Sequence, residues 1–182
     1  QTNRALRAHE TFGEDKSITR EEFYQYKFDT KYSEKSVMAV NLKKFLAEAS
    51  SEDPHIIKAL ELLQNWNLDT DSLNTAVHLA ISAISPKFNP NKYKYDYSGI
   101  MKRLQKTVNT LKNTFGRVEV KWGDIMRLRR GNTDLPLSGG PDILRAIYSK
   151  EKEGVRVGTA GDCYFEIVEW DPDGNVFAQS IH

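Results

Sequence analysis

The sequence predicts an α+β chain: a mainly helical array followed by a C-terminal β-hairpin. Three observations predict it. Apolar residues recur at helical spacing through the first two-thirds, as in Ile100, Leu104, Val108 and Leu111. After Phe115–Gly116 the period shortens to two, as in Val118, Val120 and Trp122. The run Asp171–Pro172–Asp173–Gly174–Asn175 is a turn between two alternating stretches. Residues 1–114 form the helical region and 115–182 a loop-and-strand region, together one incomplete domain.

Taken in order, a short helix spans 4–12 and stops at Gly13 in a left-handed conformation. Thr19–Arg20–Glu21–Glu22 is a capping box that opens a helix carrying Phe23 and Tyr26. Ser33 caps a longer helix to about Ala49. Asp53–Pro54 starts the next, since proline suits the first helical position; Ile56, Leu60 and Leu63 follow at helical spacing up to Trp66. Asp71 caps a helix containing Leu73, Val77, Ala80, Ile81 and Ile84, which Pro86 ends. Residues 87–98 form a loop, and Ser98 starts the helix of Ile100 to Leu111. Residues 127–140 form another loop, with Pro136 and the pair Gly139–Gly140. Ile143 to Tyr148 form a short strand or a helical turn. The two hairpin strands follow, with Cys163, Phe165 and Ile167 on one face.

Composition narrows the function classes. Of 182 residues, 39% are hydrophobic, below the usual range of about 45–50%. That describes a modest core, or a piece whose remaining core partners lie elsewhere. Twenty-six basic residues face 25 acidic ones, a net charge of +1 that gives no reason to expect nucleic acid or an anionic membrane as partner. A nucleic-acid-binding bundle built on the helix of Lys102, Arg103, Lys106 and Lys112 therefore ranks last; those cations read as a solvated face. No apolar run approaches the roughly 18 residues of a membrane span. The single cysteine, Cys163, excludes an internal disulfide and a cysteine-based metal site. A hairpin alone is marginal in water and belongs to a larger sheet. With no initiating Met, and a strand that runs to His182 without turn or cap, the chain reads as an interior fragment.

No complete catalytic constellation is visible. His9, His55, His78 and His182 form no metal-binding pair, and Ser138–Gly139–Gly140 is no phosphate loop. Asp69–Thr70–Asp71 and Asp171–Pro172–Asp173–Gly174 lack the other positions of a calcium loop and read as cap and turn. Cys163 has no activating neighbour and reads as an inert thiol; Asp162 reads as structural. No cofactor or metal is expected within the chain.

The C-terminal third carries a recognisable order of motifs. Phe115–Gly116–Arg117–Val118–Glu119–Val120–Lys121–Trp122–Gly123 comes first, then Leu135–Pro136–Leu137–Ser138–Gly139–Gly140–Pro141–Asp142 and Leu144–Arg145–Ala146. Gly161–Asp162–Cys163–Tyr164, Val168–Glu169–Trp170 and Gln179–Ser180–Ile181–His182 complete it. This order resembles the β chain of the penicillin acylase family, nearest to acyl-homoserine-lactone, aculeacin and glutaryl-cephalosporin acylases. Arg4, the helix after it and Ile18–Thr19 resemble the segment following the family's active-site asparagine. Leu62–Leu63–Gln64–Asn65–Trp66–Asn67 resembles a helix ending in a Trp-Asp pair, with Asn67 in place of the acid.

The resemblance implies an N-terminal nucleophile hydrolase with an αββα fold, in which a serine exposed by self-cleavage attacks an amide. That serine, its histidine and the oxyanion asparagine would lie upstream of Gln1, so the fragment alone is expected to be inactive. It also implies two site residues. Arg4 matches an arginine that orients the oxyanion asparagine and substrate, and Glu169 a carboxylate that supports the active-site histidine. The expected partners are the rest of the β chain, the α chain and a small acylated amide. The expected location is the periplasm or outside the cell. The family's glycine-aspartate pair is usually followed by Ser or Thr; here it is followed by Cys163. A different class remains open: a non-enzymatic helical interaction module with an accessory hairpin.

Overall fold

The structure, a computed structural model, describes residues 1–84, 94–161 and 165–181. Its helices are set by their caps. Thr2 caps α1 (Asn3–Ala8), which widens into a π-helical turn over His9–Gly13. The Thr19 hydroxyl accepts from the Glu22 N–H and the Glu22 carboxylate accepts from the Thr19 N–H. This closes the capping box of α2 (Arg20–Lys27). Ser36 caps α3 (Val37–Glu48), and Asp53 with Pro54 opens α4 (Pro54–Gln64). Then come α5 (Val77–Ile84) and α6 (Tyr97–Phe115), the latter capped by Asp96 and ended by Gly116 at φ 70°. A single turn, α7 (Trp122–Ile125), leads into the strands.

Apolar patterning decides how these helices stack. Helix α5 buries Val77, Leu79, Ala80, Ala83 and Ile84, more than one face, so it sits at the centre. Helix α6 is amphipathic and lays Ile100, Leu104, Val108 and Leu111 against it. Each such side chain contributes about 1.5–3 kcal/mol on burial. Lys102 and Lys106 stay exposed, as expected of a solvated face, while Arg103 donates Nε to the Ala83 carbonyl at 2.7 Å.

Beyond α7 lies a mixed sheet of β1 (Met126–Arg130), β2 (Thr133–Pro136), β3 (Ile147–Lys152) and β4 (Val155–Gly161), in the order β2-β1-β4-β3. Strands β1 and β4 run parallel; the other pairs are antiparallel. Strands β5 (Phe165–Trp170) and β6 (Val176–Ile181) form a separate hairpin. Its turn is held by Asp171, whose carboxylate accepts from Asp173 N–H, Asn175 N–H and Asn175 Nδ2.

The α+β class and the hairpin are as expected, but several elements are not. The loop expected over 127–140 contains β1 and β2, and the strand expected at Val118–Trp122 is an unpaired extended segment. That segment does bury Val118, Val120 and Trp122 in alternation. Gly13 does not take a positive φ, because the π-helical turn ends α1 instead. Ser33 is not a helix cap; its hydroxyl binds Glu10, and Ser36 does the capping. Asp71 holds a turn through the Leu73 N–H, and Leu73 is 69% exposed rather than helical. Asp96, two residues before Ser98, caps α6. Pro86, most of the 87–98 loop, Asp162, Cys163 and His182 lie outside the described residues.

Helices and sheet meet at residues 137–142, an irregular segment that is half-buried except at Gly139 and Gly140, which are buried, and that is tied down by several hydrogen bonds. Leu137 N–H donates to Met126 O at 2.9 Å and Gly139 N–H to Thr70 O at 2.8 Å. Trp122 Nε1 donates to Gly139 O at 2.8 Å, and Tyr32 OH to Pro141 O at 2.6 Å. Gly139 has φ 107°, and a Cβ there would stand 2.9 Å from the Arg145 carbonyl. Gly139→Ala should therefore lower unfolding free energy by more than about 2 kcal/mol in urea titrations. Gly116→Ala, left-handed but with open space around it, should cost only about 1 kcal/mol.

Candidate functional site

The richest polar cluster surrounds the first turn of α1. Asn3 is only 4% exposed, so every polar atom it carries needs a partner. Its backbone N–H donates to Asp142 Oδ2 at 2.9 Å and its Nδ2 to Asp142 O at 2.9 Å and Lys31 O at 3.3 Å. Its Oδ1 accepts from the Ser33 N–H at 2.7 Å. The Ser33 hydroxyl donates to Glu10 Oε1 at 2.7 Å, and Arg7 Nη1 donates to Glu10 Oε2 at 3.0 Å. Arg7 also forks onto Asp29, with Nε and Nη2 at 3.0 and 2.8 Å. The hydrogen bond to Asp29, reinforced by the carboxylate's charge, holds the Arg7 guanidinium above its ordinary pKa.

Arg4 shares helix α1 with Asn3 and Arg7 but is exposed. Among the described residues no side chain forms a hydrogen bond or ion pair with it. The helix is thus pinned by Asn3 and Arg7 and presents the Arg4 guanidinium outward. Glu169 lies on β5 and is claimed by α2: Arg20 Nε donates to Oε2, and Arg20 Nη2 and Tyr24 OH each donate to Oε1 at 3.0 Å. Arg20 in turn sits 4.9 Å over the Tyr24 ring. The Arg20 hydrogen bond holds the Glu169 carboxyl below the usual carboxylate range. No histidine bonds to Glu169, and no contact joins it to Arg4, among the described residues. The two are linked only through the helical layer, where Phe12 packs edge-on against Phe23 and Tyr26 at 6.0 and 5.4 Å.

Sequence reasoning passed over Asn3, Arg7, Glu10 and Asp29, read Ser33 only as a cap, and named Asp142 only within a motif. Only the Arg7–Glu10 spacing of three was legible as a helical pair. The Asn3–Asp142 pairing spans 139 positions and leaves no local signal. The carboxylates that superficially resembled calcium ligands serve turns: Asp69 accepts from Thr30 Oγ1 and the Asp71 N–H. No cluster of three or more metal-ligating side chains occurs among the described residues. No described helix is long and apolar enough to cross a membrane.

A second site of interest lies under the sheet. His78 stacks on Trp122 with ring centroids 6.0 Å apart and 22° between planes. Its Nδ1 is 3.4 Å from the Ser82 hydroxyl. Burial, aided by the Arg156 guanidinium, pushes its pKa down to about 4. Burial also lowers the pKa of Arg156, whose Nε donates to Ser149 Oγ at 2.9 Å. His78 is therefore neutral at pH 7 and structural.

No family model matches the chain, and a search of curated proteins finds no match.

Two outcomes are expected. The unfolded-state His78 titrates near 6.5 and the folded one near 4. The unfolded chain thus takes up the proton first as pH falls. Stability should drop by up to about 3 kcal/mol between pH 6.5 and 4 and level off below. His78→Phe, which keeps the ring on Trp122, should flatten that part of the pH profile of urea unfolding. Separately, Arg20→Ala should raise amide exchange across β5 and β6 without changing protection in α5 and α6.

Proposed function

We propose that this chain is the scaffold part of a penicillin-acylase-type amide hydrolase. One observation carries the reading. The segment Leu135 to Asp142, one of the motifs whose combined order resembles that family, clasps Asn3 through two hydrogen bonds. It thereby fixes the helix on which Arg4 stands free. Arginine suits the role proposed for Arg4, with five donors in a planar fork and a permanent charge. It would orient the asparagine that stabilises the oxyanion and, through it, the substrate. The attacking serine belongs to a part of the protein outside this chain. Its α-amino group, with an ordinary pKa of about 8, would serve as base. An acyl-enzyme would form, the amine would leave, and water would release the acid.

The hairpin supports the same reading. Strands β5 and β6 pair only with each other among the described residues. Trp170 is 68% exposed, with Val176 and Phe177 also in solvent. Such edges and rings suit insertion into a larger sheet, here the αββα sheet of the parent enzyme. In that setting Glu169 would anchor the hairpin to α2 through Arg20 and Tyr24, with any support to a histidine secondary. Its substrate would be a small acylated amide: a β-lactam side chain, an N-acyl homoserine lactone or a lipopeptide. Export to the periplasm or beyond goes with that family.

The test is to produce the full coding region, including the residues upstream of Gln1, and assay acid release from a panel of acyl amides. Turnover is expected, with Arg4→Ala lowering kcat/KM by about a hundredfold at unchanged fold. The 182-residue chain by itself should release nothing. A full-length protein that hydrolyses no acyl amide, or turnover by the isolated chain, overturns the proposal.

A further inference from the structure

A cleft of about 570 Å³ opens between α4 and the extended segment after α6, away from Arg4 and Glu169. Its walls follow from local sequence rules. On one side His55 and Lys58, three positions apart, share a face of the first turns of α4. On the other, residues 117–121 alternate: Val118 and Val120 are buried, so Arg117, Glu119 and Lys121 all project outward. The wall is anchored. Trp122 N–H donates to Asn74 O at 2.8 Å, and its indole is bound to Gly139. Thr75 contributes to the lining between the walls.

The charge balance of this cleft is unlike that of the chain. Net charge overall is +1, yet here Lys58, Arg117 and Lys121 face a single acid, Glu119, which pairs with Lys58 at 3.1 Å. Arg117 and Lys121 have no carboxylate partner among the described residues. Two helix ends meet at the rim: the N-terminus of α4 and, at Gly116, the C-terminus of α6. Their end charges are opposite and of similar size, about half a unit each, so they largely cancel and the side chains decide the field. The volume falls within the range of ordinary small-molecule sites. A guanidinium and an ammonium, with Thr75 also in the lining, match the oxygens of a phosphoryl group.

We infer that this cleft binds a phosphate-bearing small molecule, held by Arg117 and Lys121 with Thr75 as a neutral donor. This is independent of amide hydrolysis. The test is a titration of the ¹⁵N-labelled chain with inorganic phosphate and with adenosine monophosphate at constant ionic strength, with adenosine as control. Saturable shifts are expected at the amides of Thr75, Gly116, Arg117 and Lys121. Equal affinity for both phosphates identifies the free anion as sufficient; tighter binding of the nucleotide identifies an organic phosphate. Arg117→Ala with Lys121→Ala should weaken binding at least about tenfold. Glu119→Gln should tighten it by releasing Lys58. Should the double variant lose its fold, Arg117→Gln alone serves, since Arg117 is exposed. No saturation with either phosphate, an equal response to adenosine, or unchanged affinity in the folded variants overturns the inference.

Discussion

Everything in this fold turns on satisfying an irregular segment in the interior. Backbone away from water must find hydrogen-bond partners, and loops therefore usually stay on the surface. Residues 137–142 instead bury Gly139 and Gly140 at their centre, and their partners come from every quarter of the chain: Met126, Thr70, Trp122, Ile147, Tyr32 and Asn3. Each bond contributes modestly by itself, about 1 kcal/mol, but an orphaned group there would cost more. The helical array and the sheet are thus joined by polar bonds of fixed direction as well as by apolar packing, which has none.

The polar cluster at α1 extends this joint to the surface. Asn3 binds Asp142, Ser33 binds Asn3, Glu10 binds Ser33, and Arg7 binds both Glu10 and Asp29. The chain of contacts ends beside Arg4, which has no part in it. One arginine of α1 is structural and the other is available, although their sequence settings look alike. What separates them is their partners: Arg7 reaches Asp29 and Glu10, whereas no described carboxylate pairs with Arg4.

The helical half was largely legible because its signals are local. Thr19 with Glu22, Asp53 with Pro54, and Gly116 all act within a turn of their own position. Errors arose where two candidate caps compete, as Ser33 against Ser36, and the outcome depends on Glu10 more than twenty residues away. The four-stranded sheet was missed for a different reason. Strand β1 is Met126–Arg130, with arginine at three of five positions, and β2 is exposed throughout. Their cohesion comes partly from Asp134, which binds both Arg127 and Arg129, so the apolar alternation that marks half-buried strands is weak. The Gly131–Asn132 pair, a two-residue loop with Gly131 at φ 54°, was the available clue. Of the candidate site, Arg4 and Glu169 were readable only by resemblance. The Asn3 cluster was invisible because its key bond joins residues 139 positions apart.

That bond also has a bearing on how the chain is made. Asn3 leaves the ribosome 139 residues before Asp142. At synthesis rates of about 5–20 residues per second, roughly 7 to 28 seconds separate the two. During that interval α1 is too short to hold its shape alone, having six residues. Helices α3 to α6 can assemble in the meantime, since their contacts are close in sequence. The α1 segment is therefore made well before its partner and is among the last parts to be fixed in place.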